Sequence, residues 1–199
     1  MKTTPAHLFV ALPAEARPLI QGLELVRETR EHGFPLYRNG PLSLVVTGAG
    51  PERMRRATQD YQTVLTPGSD PSTPWVNIGI AGHARAAVGT ALLAHTLVDA
   101  VNGRRWTLAN PLNSPCASDL LTSVARPDDT YRTPGMVDME AATFFSTVRS
   151  QFDTAPVHCL KVISDNPQHP MAGINSRFVH DLIADKLDLV ERLLRVCRV

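Results

Sequence analysis

The sequence has little of what marks several protein classes. Its 199 residues include only three cysteines, Cys116, Cys159 and Cys197. Their odd number and their spacings fit neither a disulfide framework nor a zinc ligand set, so they read as packing thiols of a reducing compartment. The seven histidines are scattered, with no i, i+4 pair, and neither a metal nor an organic cofactor is expected. No apolar run approaches the ~18 residues needed to span a membrane. The stretch from Leu8 to Leu12 is too short for the core of a signal peptide and Glu15 follows almost at once, so the expected location is cytoplasmic. Formal net charge is only +1, without the basic stripe of a nucleic-acid binder. Arg53, Arg55 and Arg56 read as the solvated face of a helix, with an anion contact by Arg53 as the alternative. There is no internal repeat and no Walker A segment, which argues against an NTPase.

What is present is an α/β pattern. The length suits a single domain, 1–199, with 43% hydrophobic and 20% charged residues. Proline is frequent at 16 residues and gathers in loops such as 66–74 and 110–115. Residues 7–12 read as a buried strand, and Pro13 suits the first turn of a helix that ends near Gly22. A strand at 42–47 runs into Gly48-Ala49-Gly50, and Pro51 opens a helix to about Leu65. Further strands are expected at 75–78, at 90–98 and 104–108 with a turn at Asn102-Gly103, and at 156–163. Residues 109–136 read as irregular, with a weak helical signal near 119–124. Asp138 is a plausible N-cap for a helix over 139–151. One last helix is expected over 175–196, because Phe178, Leu182, Ile183, Leu187, Val190, Leu193 and Leu194 follow a 3.6-residue period. The fold class is therefore α/β, a central mixed twisted sheet flanked by helices. Ligands of such sheets sit at the carboxyl ends of strands, and three of these strands end in loops rich in Gly, Ser, Asp or Asn.

Gly48-Ala49-Gly50 lacks the third glycine of a dinucleotide fingerprint, since Arg53 stands there. It reads as a tight corner whose backbone at Gly50 can approach a sugar or phosphate. Each carboxylate near these loops also has a bland reading. Glu15 suits a helix first turn, Glu140 a solvated or capping position beside Asp138, and Asp165 a turn in Ser-Asp-Asn-Pro. Met139 suits packing.

Five segments taken together carry more: Ala11 to Ala16 (ALPAEA), Val45 to Gly50, Asn77 to Gly82 (NIGIAG), Val137 to Ala142 (VDMEAA) and Lys161 to Asn166 (KVISDN). Their order and spacing resemble the purine nucleoside phosphorylase and nucleosidase superfamily, in particular the branch of methylthioadenosine/S-adenosylhomocysteine nucleosidase and futalosine hydrolase. The resemblance covers most of the chain. It implies a nucleoside phosphorylase-like fold, hydrolysis of the N-glycosidic bond of a purine-type nucleoside, no cofactor or metal, and a homodimer. It assigns Asp165 to the leaving base, Ser164 to its orientation, Glu140 to the ribosyl hydroxyls, Met139 to packing against the sugar, and Glu15 to the attacking water. Ala81 and Gly82 would line base and sugar. The alternatives are a phosphorylase, for which Arg53 and Arg85 are the available cations, and a non-catalytic nucleoside-binding protein. Ile80 and His83 depart from the family pattern. The segment 109–136 is short, and Tyr131 is its only candidate for an aromatic residue stacking on the base.

Overall fold

The computed structural model describes residues 4–29, 33–65 and 70–197. Ten strands and five helices follow in the order β1 (Ala6–Val10), α1 (Pro13–Gly22), β2 (Val26–Arg27), β3 (Leu36–Asn39), β4 (Leu42–Val46), α2 (Pro51–Thr63), β5 (Trp75–His83), β6 (Ala91–Asp99), β7 (Arg105–Thr107), β8 (Ser118–Ser123), β9 (Met136–Asp138), α3 (Ala141–Arg149), β10 (Val157–Asp165), α4 (Ser176–Ala184) and α5 (Leu187–Val196). The strands form one mixed sheet, and β1, β4, β5 and β10 are mutually parallel in the order β4-β1-β5-β10. Their carboxyl ends therefore emerge on one side. Beyond β10 the sheet curls: β10 pairs β6, β6 pairs β8, β8 pairs β9, and β9 returns to β5. Half of the sheet is thus a closed ring, while β3 and β2 extend the open edge.

Side-chain alternation divides the core between the two faces of the sheet. Leu8, Val10, Leu44, Leu160 and Val162 pack with residues of α1, α4 and α5. Phe9, Val45, Cys159 and Ile163 point the other way and pack with residues of α2 and α3. All nine residues of β10 are buried, as expected for a strand hydrogen-bonded on both edges and covered on both faces.

Four expectations are corrected. Residues 118–123 form a strand, not a helix, with buried Leu121, Thr122 and Ser123. Parallel partners on both edges override the weak local signal. Asp138 ends β9 and is not the helix N-cap, a position held by Glu140. Even so, an Asp138 carboxylate oxygen accepts the Ala141 N–H at 3.0 Å, which partly caps α3 from outside it. The terminal helix is two helices, broken at Asp185 and Lys186. β5 continues past Ile78 through both glycines to His83. The 67–74 linker lies partly outside the described residues. Among the described residues, no helix is long and apolar enough to cross a membrane.

Candidate active site

The carboxyl ends of β1, β5 and β10 and the segments after β4, β8 and β9 enclose a cavity of about 310 Å³. Glu15, Ala81, Gly82, Met139, Glu140, Ser164 and Asp165 all line it. Gly50 lies outside the wall but donates its N–H to Glu140 Oε1 at 2.7 Å. Its φ of +98° is a conformation that glycine adopts without steric cost. Residues far apart in sequence meet here because the parallel strands deliver their ends together.

Glu15 is buried at position N3 of α1. One carboxylate oxygen, Oε2, accepts the N–H groups of Ala11 and Leu12 at 3.0 and 2.8 Å, and Oε1 accepts that of Ile80 at 3.0 Å. Glu15 is thus a helix-capping residue as well as a cavity carboxylate. Burial raises its pKa, against the lowering effect of these N–H groups and of Lys161. Gly79 makes the position possible. A Cβ there would lie 2.9 Å from Glu15 Oε1 and 3.5 Å from Lys161 Nζ.

Asp165 follows a β-bulge. Ile163 pairs with Ala81 and Asp165 with Gly82, so Ser164 is an extra residue in the ladder. Regular alternation would send neighbouring side chains to opposite faces. The bulge lets Ser164 and Asp165 both face the cavity. The Ser164 hydroxyl donates to Asp165 Oδ1 at 2.5 Å. Among the described residues Oδ2 is buried with no hydrogen bond of ordinary geometry, and the Tyr131 hydroxyl is a near neighbour of the carboxylate. A Cβ on Gly82 would stand 2.8 Å from Oδ2. The two glycines of NIGIAG therefore clear space for one carboxylate each.

Glu140 has its pKa raised to about 7, first by burial and then by the nearby Asp138 carboxylate, with Lys161 opposing. Lys161, Asp138 and Asn77 form a polar cluster that composition and motif order did not single out. Lys161 Nζ contacts Asp138 Oδ2 at 2.8 Å and donates to Asn77 Oδ1 at 2.7 Å, with the Lys161 and Asp138 side chains almost fully buried. Burial works to lower the Lys161 pKa, but Asp138 and Glu140 outweigh it and hold it above the usual value. Asp138 also accepts from the Ser123 hydroxyl. The available signal was a single cation inside the buried run Val157 to Ile163.

Tyr131 is not part of the wall, which is completed instead by Val124, Pro127, Met171 and Ile174 among others. The Tyr131 hydroxyl accepts the Met171 N–H at 3.0 Å. Arg53 and Arg85 are exposed and do not line the cavity. His83 also faces elsewhere: its Nδ1 accepts the N–H groups of Arg85 and Ala86, and Nε2 contacts Asp119 at 3.0 Å.

No family model matches the sequence, and no curated protein matches it by sequence. Solved structures do match. The apo 5′-methylthioadenosine nucleosidase of Arabidopsis thaliana superposes with a TM-score of 0.78 at 16% identity, covering 98% of this chain and 97% of that one. The chain has the fold of a nucleosidase. The same fold recurs in the 5′-methylthioadenosine/S-adenosylhomocysteine nucleosidase of Helicobacter pylori with butyl-thio-DADMe-Immucillin-A, at TM-score 0.75, 14% identity and 98% and 99% coverage. It recurs again in the Colwellia psychrerythraea enzyme in complex with adenine, at 0.72, 16%, and 99% and 97%. On this nucleosidase fold the cavity sits at the strand carboxyl ends, where ligands of α/β sheets gather.

Proposed function

We propose that this protein hydrolyses the N-glycosidic bond of a purine-type nucleoside. The observation that carries the reading is the convergence of Glu15, Glu140 and Asp165 on one cavity of a nucleosidase fold. The three solved structures named above are 5′-methylthioadenosine or 5′-methylthioadenosine/S-adenosylhomocysteine nucleosidases, and two of them are bound to a nucleoside analogue and to adenine.

In this reading, bond cleavage builds positive charge on the sugar and negative charge on the base. Asp165, its Oδ1 held by the Ser164 hydroxyl, shares a proton with a purine ring nitrogen as the base leaves. Glu15 takes a proton from the water that attacks the anomeric carbon, releasing free base and ribosyl product. Its raised pKa brings a glutamate closer to the value that suits a general base. Glu140 accepts hydrogen bonds from ribosyl hydroxyls, and Met139 packs beside the sugar. Acid–base assistance of this kind is worth ~10²–10⁴-fold per group.

Charge favours water over phosphate as the nucleophile. The described wall carries Glu15, Asp128, Asp138, Glu140 and Asp165, and its one cation, Lys161, is already paired with Asp138. A phosphate dianion would meet repulsion there, with Arg53 and Arg85 outside the cavity. The deciding assay incubates the protein with methylthioadenosine, adenosine, inosine and futalosine, with and without phosphate. Base release without phosphate is expected. Strict phosphate dependence would overturn hydrolysis in favour of phosphorolysis, and binding without turnover would favour a non-catalytic role. A homodimer in the cytoplasm is part of the same proposal. Fully exposed Leu112 and largely exposed Val101 offer apolar contacts for a second copy, and light scattering should report twice the chain mass.

A further inference from the structure

Tyr131, the candidate for stacking on the base, stands outside the cavity wall. Its φ of +52° lies in the left-handed region, which a bulky residue rarely adopts. The turn that carries it is tied down internally. Asp128 accepts the Thr130 N–H and hydroxyl at 3.0 and 2.6 Å, and the Thr133 hydroxyl at 2.9 Å. A residue held in an uncommon conformation by its surroundings directs attention to what its side chain does there.

The Tyr131 hydroxyl lies where two chain segments meet. It accepts the Met171 N–H at 3.0 Å, and Met171 opens the short turn Met171–Gly173 and lines the cavity. It is also a near neighbour of the Asp165 carboxylate. A phenol hydroxyl has one proton to donate and lone pairs to accept with. The Met171 N–H takes a lone pair, so the proton is left for the carboxylate. Asp165 has room for that donor. It is only 2% exposed, Ser164 serves Oδ1, and Oδ2 has no hydrogen bond of ordinary geometry among the described residues. A buried carboxylate oxygen without a donor is costly, and the large majority of buried polar atoms have a partner. The buried cation of the site, Lys161, is already engaged by Asp138 and Asn77. Burial raises the Tyr131 pKa first, and the Asp165 carboxylate raises it further against the lowering effect of the Met171 N–H. That is the response of a phenol whose neutral form donates to a carboxylate.

We propose that Tyr131 is a positioning residue for Asp165. Its hydroxyl, fixed by Met171, donates to the carboxylate from outside the cavity wall, while Ser164 donates from the bulge. Held by two hydroxyls, the carboxylate keeps one orientation toward the purine ring nitrogen as the base leaves. The proposal rests on the nucleosidase reading and adds to it a residue that touches no substrate.

Two measurements test it. Tyr131→Phe keeps the ring and removes only the hydroxyl. With whichever nucleoside of the panel is cleaved, it should lower kcat and kcat/KM equally, by about tenfold, the loss expected for one hydrogen bond to a charged group. In the Asp165→Asn background the same change should cost nothing further. If the two losses multiply, or if Tyr131→Phe acts by raising KM, Tyr131 only shapes the pocket and the proposal falls. The second readout needs no turnover. The Tyr131 Cζ signal, assigned among the three tyrosines by its loss in Tyr131→Phe, should shift in Asp165→Asn, and the phenol should titrate at lower pH there. Base release with an unmoved Cζ signal overturns this proposal and spares the nucleosidase reading. A moved signal without base release does the reverse, ending the nucleosidase reading while the contact between Tyr131 and Asp165 stands.

Discussion

At the scale of single residues, the cavity holds a set of carboxylates that differ in their hydrogen-bond partners. Asp165 has one oxygen bound by Ser164 and one with no hydrogen bond of ordinary geometry among the described residues. Asp165→Asn keeps the shape but removes the shared proton, so kcat should fall ~10²–10⁴-fold with folding intact, as steady-state kinetics and circular dichroism would show. Near-wild-type turnover would remove Asp165 from the mechanism. Glu140 is held near a pKa of about 7, and its ionised form is the better acceptor for ribosyl hydroxyls. kcat/KM should therefore rise with pH through a limb near 7, and Glu140→Gln should remove that limb. Lys161 tests a different point. Lys161→Met leaves Asp138 as an uncompensated buried charge and should cost about 3–5 kcal/mol in a denaturant melt, much of it recovered in Lys161→Met/Asp138→Asn. An unchanged midpoint in the single variant would show that the pair is not structural. These residues differ in how readable they were. Asp165 and Glu140 stand in short motifs, VDMEAA and KVISDN, whose residue types suit the chemistry. Lys161 opens KVISDN and Asn77 opens NIGIAG, but Lys161 pairs with Asp138 and donates to Asn77, and a contact between residues 84 positions apart has no local signature.

At the scale of elements, glycine and a bulge do what side chains cannot. β5 carries glycine at 79 and 82, where an added Cβ would press on a carboxylate of the cavity, Glu15 or Asp165. Gly82→Ala should displace Asp165 and Gly79→Ala should displace Glu15. Each should lower kcat at least tenfold while thermal midpoints stay within about 2–4 °C, the shift produced by roughly 1 kcal/mol in a domain of this length. Full activity in both would mean that the strand has room to spare. The expected end of this strand at Ile78 followed the usual reading of glycine as a strand breaker. Here β10 on one edge and β9 on the other supply the pairing that propensity does not. The same logic made 118–123 a strand. The split between α4 and α5 escaped periodicity for another reason: a two-residue break barely disturbs a 3.6-residue repeat. It takes effect in packing, where Leu187 at the start of α5 sits close over Gly22.

At the scale of the molecule, buried titratable groups pull stability in opposite directions with pH. His7 and His158 are lowered to about 4, His7 by burial and then Arg38, His158 by burial. Their contribution is present above the unfolded value near 6.5 and is lost as pH falls toward 4. Glu140 is raised to about 7, so its contribution is present below the unfolded value near 4.5 and is lost as pH rises through 7. The opposing slopes should flatten the wild-type Tm between pH 4.5 and 6.5. Glu140→Gln should steepen the acid-side fall and lift the Tm above wild type beyond pH 7, and parallel curves would refute this assignment. The sequence alone determined the alternation of strands and helices, the apolar faces and the short motifs carrying the site residues. These follow from local propensity and from side-chain periods of 2 and 3.6, which need no knowledge of distant residues. Tertiary structure alone decided that the sheet closes into a ring, that Lys161 pairs with Asp138, and that Gly79 and Gly82 stand against carboxylates. It also decided that Ser164 bulges toward the cavity. Each of these is a matter of which distant backbone or side chain comes within a few ångströms, and that is set by packing the whole chain at once.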